Sequence, residues 1–151
     1  MLAAGMNAKP SCDVETLVPH RCPMRLVRTL RAAGERWAET ETVVEPGWPT
    51  VEEDGVDPVL LIELIAQSVA VHTGWLRRSI EPLGGRGLLV GVRQSTLAPG
   101  RVALGTGLRT RVEQVRQVEG YVVFTGEVRA GERVLCTAEV QAFRPDEERT
   151  A

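Results

Sequence analysis

What is scarce in this chain excludes several classes of function. Only three cysteines occur, Cys12, Cys22 and Cys136, an odd number with no C-x-x-C pair. Neither a disulfide framework nor a zinc site follows from them, and a reducing cytoplasm is the expected compartment. Histidine appears twice, as His20 and His72, which leaves two candidates for imidazole chemistry. Charge of one sign is not in excess: the formal net charge is -2, giving no global attraction to nucleic acid. The one long apolar stretch, Val59 to Leu76, is interrupted by Glu63, Gln67, Ser68, His72 and Thr73, so no membrane span is expected. The opening residues MLAAGMNAKPSCD lack a charged segment followed by a long apolar one, and no secretory signal is expected.

What is present suits one ordinary globular domain. With 151 residues, 43% hydrophobic and 25% charged, the chain is long enough to bury a core without staples. Residues 1–11 mix Ala, Gly, Asn, Lys and Pro without a period and read as a loose tail. The domain is expected over 12–145, with a polar tail at 146–151.

The organising element is the stretch from Asp57 to Arg78. Asp57 is a good N-cap, Pro58 suits a first helical turn, and Arg77 and Arg78 place positive charge where a helix ends. From Val59 to Leu76 apolar residues cover nearly the whole circumference, the pattern of a helix enclosed by other structure. Glu63 is out of place among Val59, Leu60, Leu61, Ile62, Leu64 and Ile65, because a carboxylate in such surroundings costs several kcal/mol, roughly, unless neutral or hydrogen-bonded. Gln67, one turn on, can donate to it. The pair fits a structural role, and equally a general acid or base with one orienting neighbour.

Around the helix the chain reads as strands. Met24 to Leu30 and Arg36 to Val44, with a turn at Ala33-Gly34-Glu35, form a hairpin in which Trp37, Glu39, Glu41 and Val43 share one face. The stretch Glu45 to Val56 is a Pro-, Gly- and acid-rich loop. After the helix come Gly87 to Leu97, Arg101 to Val115, Tyr121 to Ala130 and Arg133 to Phe143, separated by Gly and Pro turns. Val102, Leu104, Thr106, Leu108, Thr110 and Val112 alternate onto one face, as do Val134, Cys136, Ala138, Val140 and Ala142. One helix must therefore be covered by five or six strands, and the simplest solution is a strongly curved antiparallel sheet wrapped around it, an α+β domain. Gly87, Gly91, Gly105, Gly107 and Gly126 would aid the curvature and the approach to the helix. The edges of such a sheet are expected to be protected by dimerisation.

Three motifs now add a resemblance. Pro19-His20-Arg21-x-Pro23-Met24, Glu63-x-x-Ala66-Gln67 and Leu88-Leu89-Val90-Gly91-Val92-Arg93 together resemble the hotdog-fold 3-hydroxyacyl-carrier-protein dehydratases, and most nearly the dehydratase-like proteins of aryl polyene clusters. The likeness runs from about Leu17 to Pro145. It implies a single hotdog domain, dimeric with itself or with a related hotdog subunit, whose sites lie in tunnels between subunits. The substrate would be an acyl thioester carried on the phosphopantetheine of an acyl carrier protein, or on coenzyme A, with no further cofactor. Glu63 matches the family's helix glutamate, and Gln67 the residue one turn on.

Two parts of the familiar dehydratase are missing. The loop before the helix, Pro49 to Val59, contains no histidine. Pro58 stands where a glycine N–H would face the thioester carbonyl, and proline has none to offer. His20, in a loop shaped by Pro19 and Pro23, is the histidine chosen to partner Glu63. His72, two turns from Glu63, reads as a packing residue. Cys22 reads as a small buried thiol rather than a nucleophile, and Glu52, Glu53 and Asp54 as a solvated run. Arg77, Arg78, Arg86 and Arg93 are candidates for an acidic carrier or a phosphate. The alternatives to a dehydratase are a thioesterase, with Glu63 activating water, and a non-catalytic acyl-binding subunit of a heteromeric enzyme.

Overall fold

The computed structural model describes residues 14–17, 25–78 and 88–143. A short helix α1 (Val14–Leu17) precedes the hairpin β1 (Thr29–Ala33) and β2 (Trp37–Val43). The long helix α2 (Leu60–Leu76) follows, then β3 (Leu88–Leu97), β4 (Gly107–Val118), β5 (Tyr121–Ala130) and β6 (Arg133–Phe143). All six strands form one antiparallel sheet in the order β1-β2-β4-β5-β6-β3. The last three strands are a plain meander. β3, the first strand made after the helix, crosses to the far edge and pairs with β6.

The sheet's inner face and α2 make the core. Alternation predicts this: on β2 Ala38, Thr40 and Thr42 are buried, while on β6 Cys136, Ala138, Val140 and Ala142 are. Leu61, Leu64 and Ile65 of α2 meet Phe124, Val112 and Val140 in that core. Gly126 is a point of close approach between helix and sheet, since a Cβ there would lie 2.4 Å from Ile65 Cγ2. The buried polar groups are spent on one another. Ser68 Oγ donates to the Leu64 carbonyl, so the Thr40 hydroxyl, 2.9 Å away, donates to Ser68.

Several boundaries differ from the sequence reading. The first strand lies over 29–33 rather than from Met24, because the backbone of Leu26 and Val27 bonds to the side chains of Gln67 and Thr42 instead of to a neighbouring strand. The stretch from Arg101 to Thr106 is a loop, joined to its surroundings by the Val56–Val102 bridge and by Val44 N–H to the Thr106 carbonyl. Leu104 is accordingly exposed rather than on the inner face. Likewise Val134, at the start of β6, is exposed. Gly91, Gly105 and Gly107 have open space around them and do not mediate approach to the helix; Gly87 lies outside the described residues. The short helix α1 has too few residues to leave a period in the sequence; its Leu17 carbonyl packs so close to Gly74 that a Cβ there would sit 2.3 Å from it.

Nor is α2 enclosed on all sides. Val59, Ile62, Glu63, Ala66 and Ala70 form one face, spaced by three and four residues, that stays partly exposed, and Val59 is 50% accessible. Among the described residues, no helix is long and apolar enough to cross a membrane.

Candidate functional site

Glu63 sits on this open face of α2. The helix starts at Leu60 with Val59 at its N-cap, two residues later than the sequence suggests, and Asp57 Oδ1 accepts the Val59 N–H at 2.9 Å in the turn that leads into it. That places Glu63 in the first turn, where the positive end of the helix dipole favours a carboxylate. Its apolar sequence neighbours point elsewhere. Leu60, Leu61, Leu64 and Ile65 are buried in the core, while Glu63 itself is half-buried. The burial cost inferred from sequence adjacency is thus smaller than expected, because helical geometry sends adjacent residues to different faces.

Gln67 is the residue that orients it. This amide is almost fully buried, at 1% exposure. Its Oε1 accepts the Leu26 N–H at 2.8 Å and the Val27 N–H at 3.4 Å. With the oxygen committed to two backbone donors, the amide nitrogen must face the other way, and Nε2 donates to Glu63 Oε2 at 2.9 Å. The lead-in to β1 is fixed from its other side by Thr42, whose hydroxyl donates to the Leu26 carbonyl at 2.6 Å. One continuous path of hydrogen bonds therefore runs from β2 through residues 26 and 27 to the carboxylate.

The amides at the helix start are already occupied. Pro58 has none, Val59 donates to the Asp57 side chain, and Leu60, Leu61 and Ile62 donate to the carbonyls of Asp57, Pro58 and Val59. In this arrangement the helix N-terminus offers Glu63's surroundings no ready donor for a developing oxyanion.

His72 is not part of the site. Nine residues from Glu63, it points from the opposite side of the helix, is fully buried, and places Nε2 2.9 Å from the Gly34 carbonyl, with its ring edge-on to Phe124 at 5.8 Å. His20, Cys12, Cys22 and Arg86 lie outside the described residues. Cys136 is buried on the inner face, and burial pushes its thiol from 9.0 up to about 11. Among the described residues, no group of His, Cys, Asp and Glu side chains is placed to hold a metal ion.

Two of the arginines singled out in the sequence are engaged locally. Arg78 donates to the Trp75 carbonyl and stacks over the Trp75 ring at 4.4 Å, and Arg93 pairs with Glu139 at 3.3 Å. The outer face of the sheet carries a lattice of such pairs. Glu41 lies within 3.4 Å of Arg31 and 3.0 Å of Arg109, and Glu39 within 2.9 Å of Arg31 and 3.5 Å of Arg111.

One residue escaped the sequence reading. Arg101 reaches into the acidic loop, with Nε 3.0 Å from Asp54 Oδ1, Nη1 3.7 Å from Glu52 Oε1, and Nη2 donating to the carbonyls of Thr50 and Gly55. The run Glu52-Glu53-Asp54 is therefore not simply solvated. The available signal was a lone arginine after Pro99-Gly100 and three acids with no base of their own nearby in sequence.

Known proteins share this fold. Among solved structures, the chain is similar to the dehydratase heterocomplex ApeI:P from Xenorhabdus doucetiae, with a TM-score of 0.80 and 23% identity over 90% of this chain and 93% of that one. It is also similar to a hypothetical thioesterase with coenzyme A from Streptococcus pneumoniae TIGR4 (TM-score 0.60, 16% identity, 76% and 82% covered). A third is the E. coli PaaI protein from the phenylacetic acid degradation operon (0.60, 12%, 77% and 82%). At these identities the likenesses establish the fold, a single hotdog domain. No curated protein matches the chain in sequence. A family model described as ApeP-like, ApeP dehydratase, matches residues 12–151. A match over that much of the chain settles its kinship: the protein belongs to the ApeP-like dehydratase family.

Proposed function

We propose that this chain is the subunit of a heteromeric dehydratase that takes 3-hydroxyacyl thioesters from an acyl carrier protein, with Glu63 as its acid–base group. The observation that carries this reading is the fixed donor on Glu63. A carboxylate on an open helix face, held by a buried amide whose own orientation is dictated by backbone N–H groups, is a preorganised proton-transfer group rather than a surface charge.

Dehydration breaks the C2–H and C3–O bonds of the acyl chain, forms the C2=C3 bond and releases water. One carboxyl can take the α-proton or deliver a proton to the departing hydroxyl; a second group must do the other. His20 is the candidate within this chain. It lies outside the described residues, and its assignment rests on its place between Pro19 and Pro23 in the sequence. The thioester carbonyl must also be polarised for the α-proton to leave. With the amides at the start of α2 occupied, that donor is assigned to a second hotdog subunit seated over the open face of Val59, Ile62 and Ala66. The ApeI:P structure, a dehydratase heterocomplex, supports such a partner.

The same occupied amides favour a second reading, in which the chain holds the acyl group while the partner performs the chemistry. The deciding experiment incubates 3-hydroxyacyl carrier proteins with the chain alone, with a partner hotdog subunit, and with the Glu63→Gln variant in the same mixtures, followed by mass spectrometry of the carrier. Loss of water that requires Glu63 establishes the first reading. Water loss by the mixture that survives Glu63→Gln establishes the second, and release of free acid moves the activity to thioester hydrolysis.

A further inference from the structure

We infer that Arg101 is a positioning residue for the acyl site: it sets the loop 50–55 and, through it, the entry of the helix that carries Glu63. This inference rests on the acyl-thioester reading above. It starts from a loop that does not hold its shape by propensity. Thr50 has a φ of 63°, a left-handed conformation that a β-branched residue rarely takes. Gly55 has a φ of 133°, and a Cβ there would lie 2.0 Å from the Val102 carbonyl oxygen. Between them Glu52 and Gly55 exchange both backbone hydrogen bonds, at 2.8 and 3.1 Å, closing a tight turn.

Arg101 fills the centre of this turn. Its Nη2 donates to the Thr50 carbonyl at 2.8 Å and to the Gly55 carbonyl at 3.0 Å, so one nitrogen ties the two strained positions together. Its Nε faces Asp54. The Arg101 side chain is 26% exposed, whereas those of Glu52 and Asp54 are 72% and 71% exposed. The hydrogen bonds to carbonyls, not the screened ion pairs, are thus the dominant restraint. The next residue continues the clamp. Val102 exchanges two hydrogen bonds with Val56, both 2.9 Å. Val56 is followed by Asp57, whose side chain accepts the N–H of Val59, the N-cap of α2. The clamp therefore ends at Val56, three residues before the exposed Val59, at the rim of the face on which Glu63 lies.

In a chain whose loop contains no histidine, this loop has no acid–base group of that kind to deliver. Its part is to be a wall of fixed shape at the head of the site. A lysine can reproduce the charge and one or two of the donors but not the fork that reaches Thr50, Gly55 and Asp54 together.

The test uses the full chain assembled with a partner hotdog subunit, as wild type and as Arg101→Gln, Arg101→Lys, Asp54→Asn and, for an outer-face ion pair, Arg109→Gln. Two readouts are taken: amide hydrogen exchange at Glu52, Gly55 and Val56, and affinity for a hydrolysis-resistant acyl-pantetheine thioether. Arg101→Gln is expected to speed exchange at those amides and to weaken the analogue by about tenfold, the loss of charge-assisted hydrogen bonds to the loop. Arg101→Lys should recover part of both effects, and Asp54→Asn and Arg109→Gln should change neither by more than about twofold. Wild-type affinity in Arg101→Gln overturns the inference if the wild type binds. If the wild type does not bind the analogue, the acyl reading fails. The role of Arg101 is then judged by exchange alone, and unchanged exchange in Arg101→Gln refutes it. A variant that unfolds is recognised by its melting curve, and Arg101→Lys then carries the comparison.

Discussion

The Gln67 side chain accepts the Leu26 N–H through its oxygen and, for that reason, can only present its nitrogen to Glu63. The two hydrogen bonds are therefore coupled: the fold of the β1 lead-in decides what the carboxylate feels. Gln67→Met, close in volume, removes both at once and leaves a buried backbone donor without an acceptor. Destabilisation of about 1–3 kcal/mol is expected from urea unfolding.

Glu63→Gln should behave in the opposite way. The new amide can still accept from Gln67 through its oxygen, and the position is half-buried on an open face. Stability should stay within about 1 kcal/mol. Turnover of a 3-hydroxyacyl thioester by the assembled enzyme should fall by about 10²–10⁴-fold, the usual worth of a general acid or base. A stability loss without a turnover loss would return Glu63 to a structural role.

The contact of Gly126 with Ile65 predicts a compensating pair. Gly126→Ala forces a methyl to within 2.4 Å of Ile65 Cγ2 and should cost about 1–3 kcal/mol. Combining it with Ile65→Ala vacates that space. The double variant should be more stable than the sum of the two single losses implies, by at least about 0.5 kcal/mol in a double-mutant cycle.

Cys136 predicts a pH dependence. Its thiol is pushed from 9.0 up to about 11 in the folded state by burial, so the folded chain keeps a proton that the unfolded chain gives up over that window. The stability contribution is complete below pH 9 and is lost as pH rises towards 11. Urea midpoints of the wild type should fall over this range more steeply than those of Cys136→Ala. Identical slopes would mean that the thiol titrates normally.

The parts of the molecule legible in the sequence are those set by local rules. Gly131-Glu132 and Glu119-Gly120 fixed the turns, so β5 and β6 run as read, from Tyr121 to Ala130 and from Arg133 to Phe143. The spacing of Glu63 and Gln67 gave their contact, because residues four apart on a helix must face one another. What alternation cannot report is pairing. Val102, Leu104 and Thr106 alternate like a strand but find no continuous partner there, and nothing in β3 itself says that it joins β6. The second half of the site was hidden for the same reason. Gln67 is held by backbone groups of Leu26 and Val27, and backbone donors leave no mark in side-chain identity. Arg101 stands far from Thr50 and Gly55 in sequence and meets them only through the fold.

The far-edge place of β3 also constrains the order in which the domain can be completed. As the chain is synthesised, β3 emerges straight after the helix, yet the strand it pairs with is the last one made, after β4 and β5. Until β6 arrives, β3 has no described strand to bind within its own chain, and the inner face of α2 lacks Cys136, Ala138 and Val140. A ribosome-bound chain halted before β6 thus presents an unpaired strand edge and an incompletely covered helix together, the features that recruit chaperones or promote premature association. Closure of β3 into the sheet thus waits for the last strand.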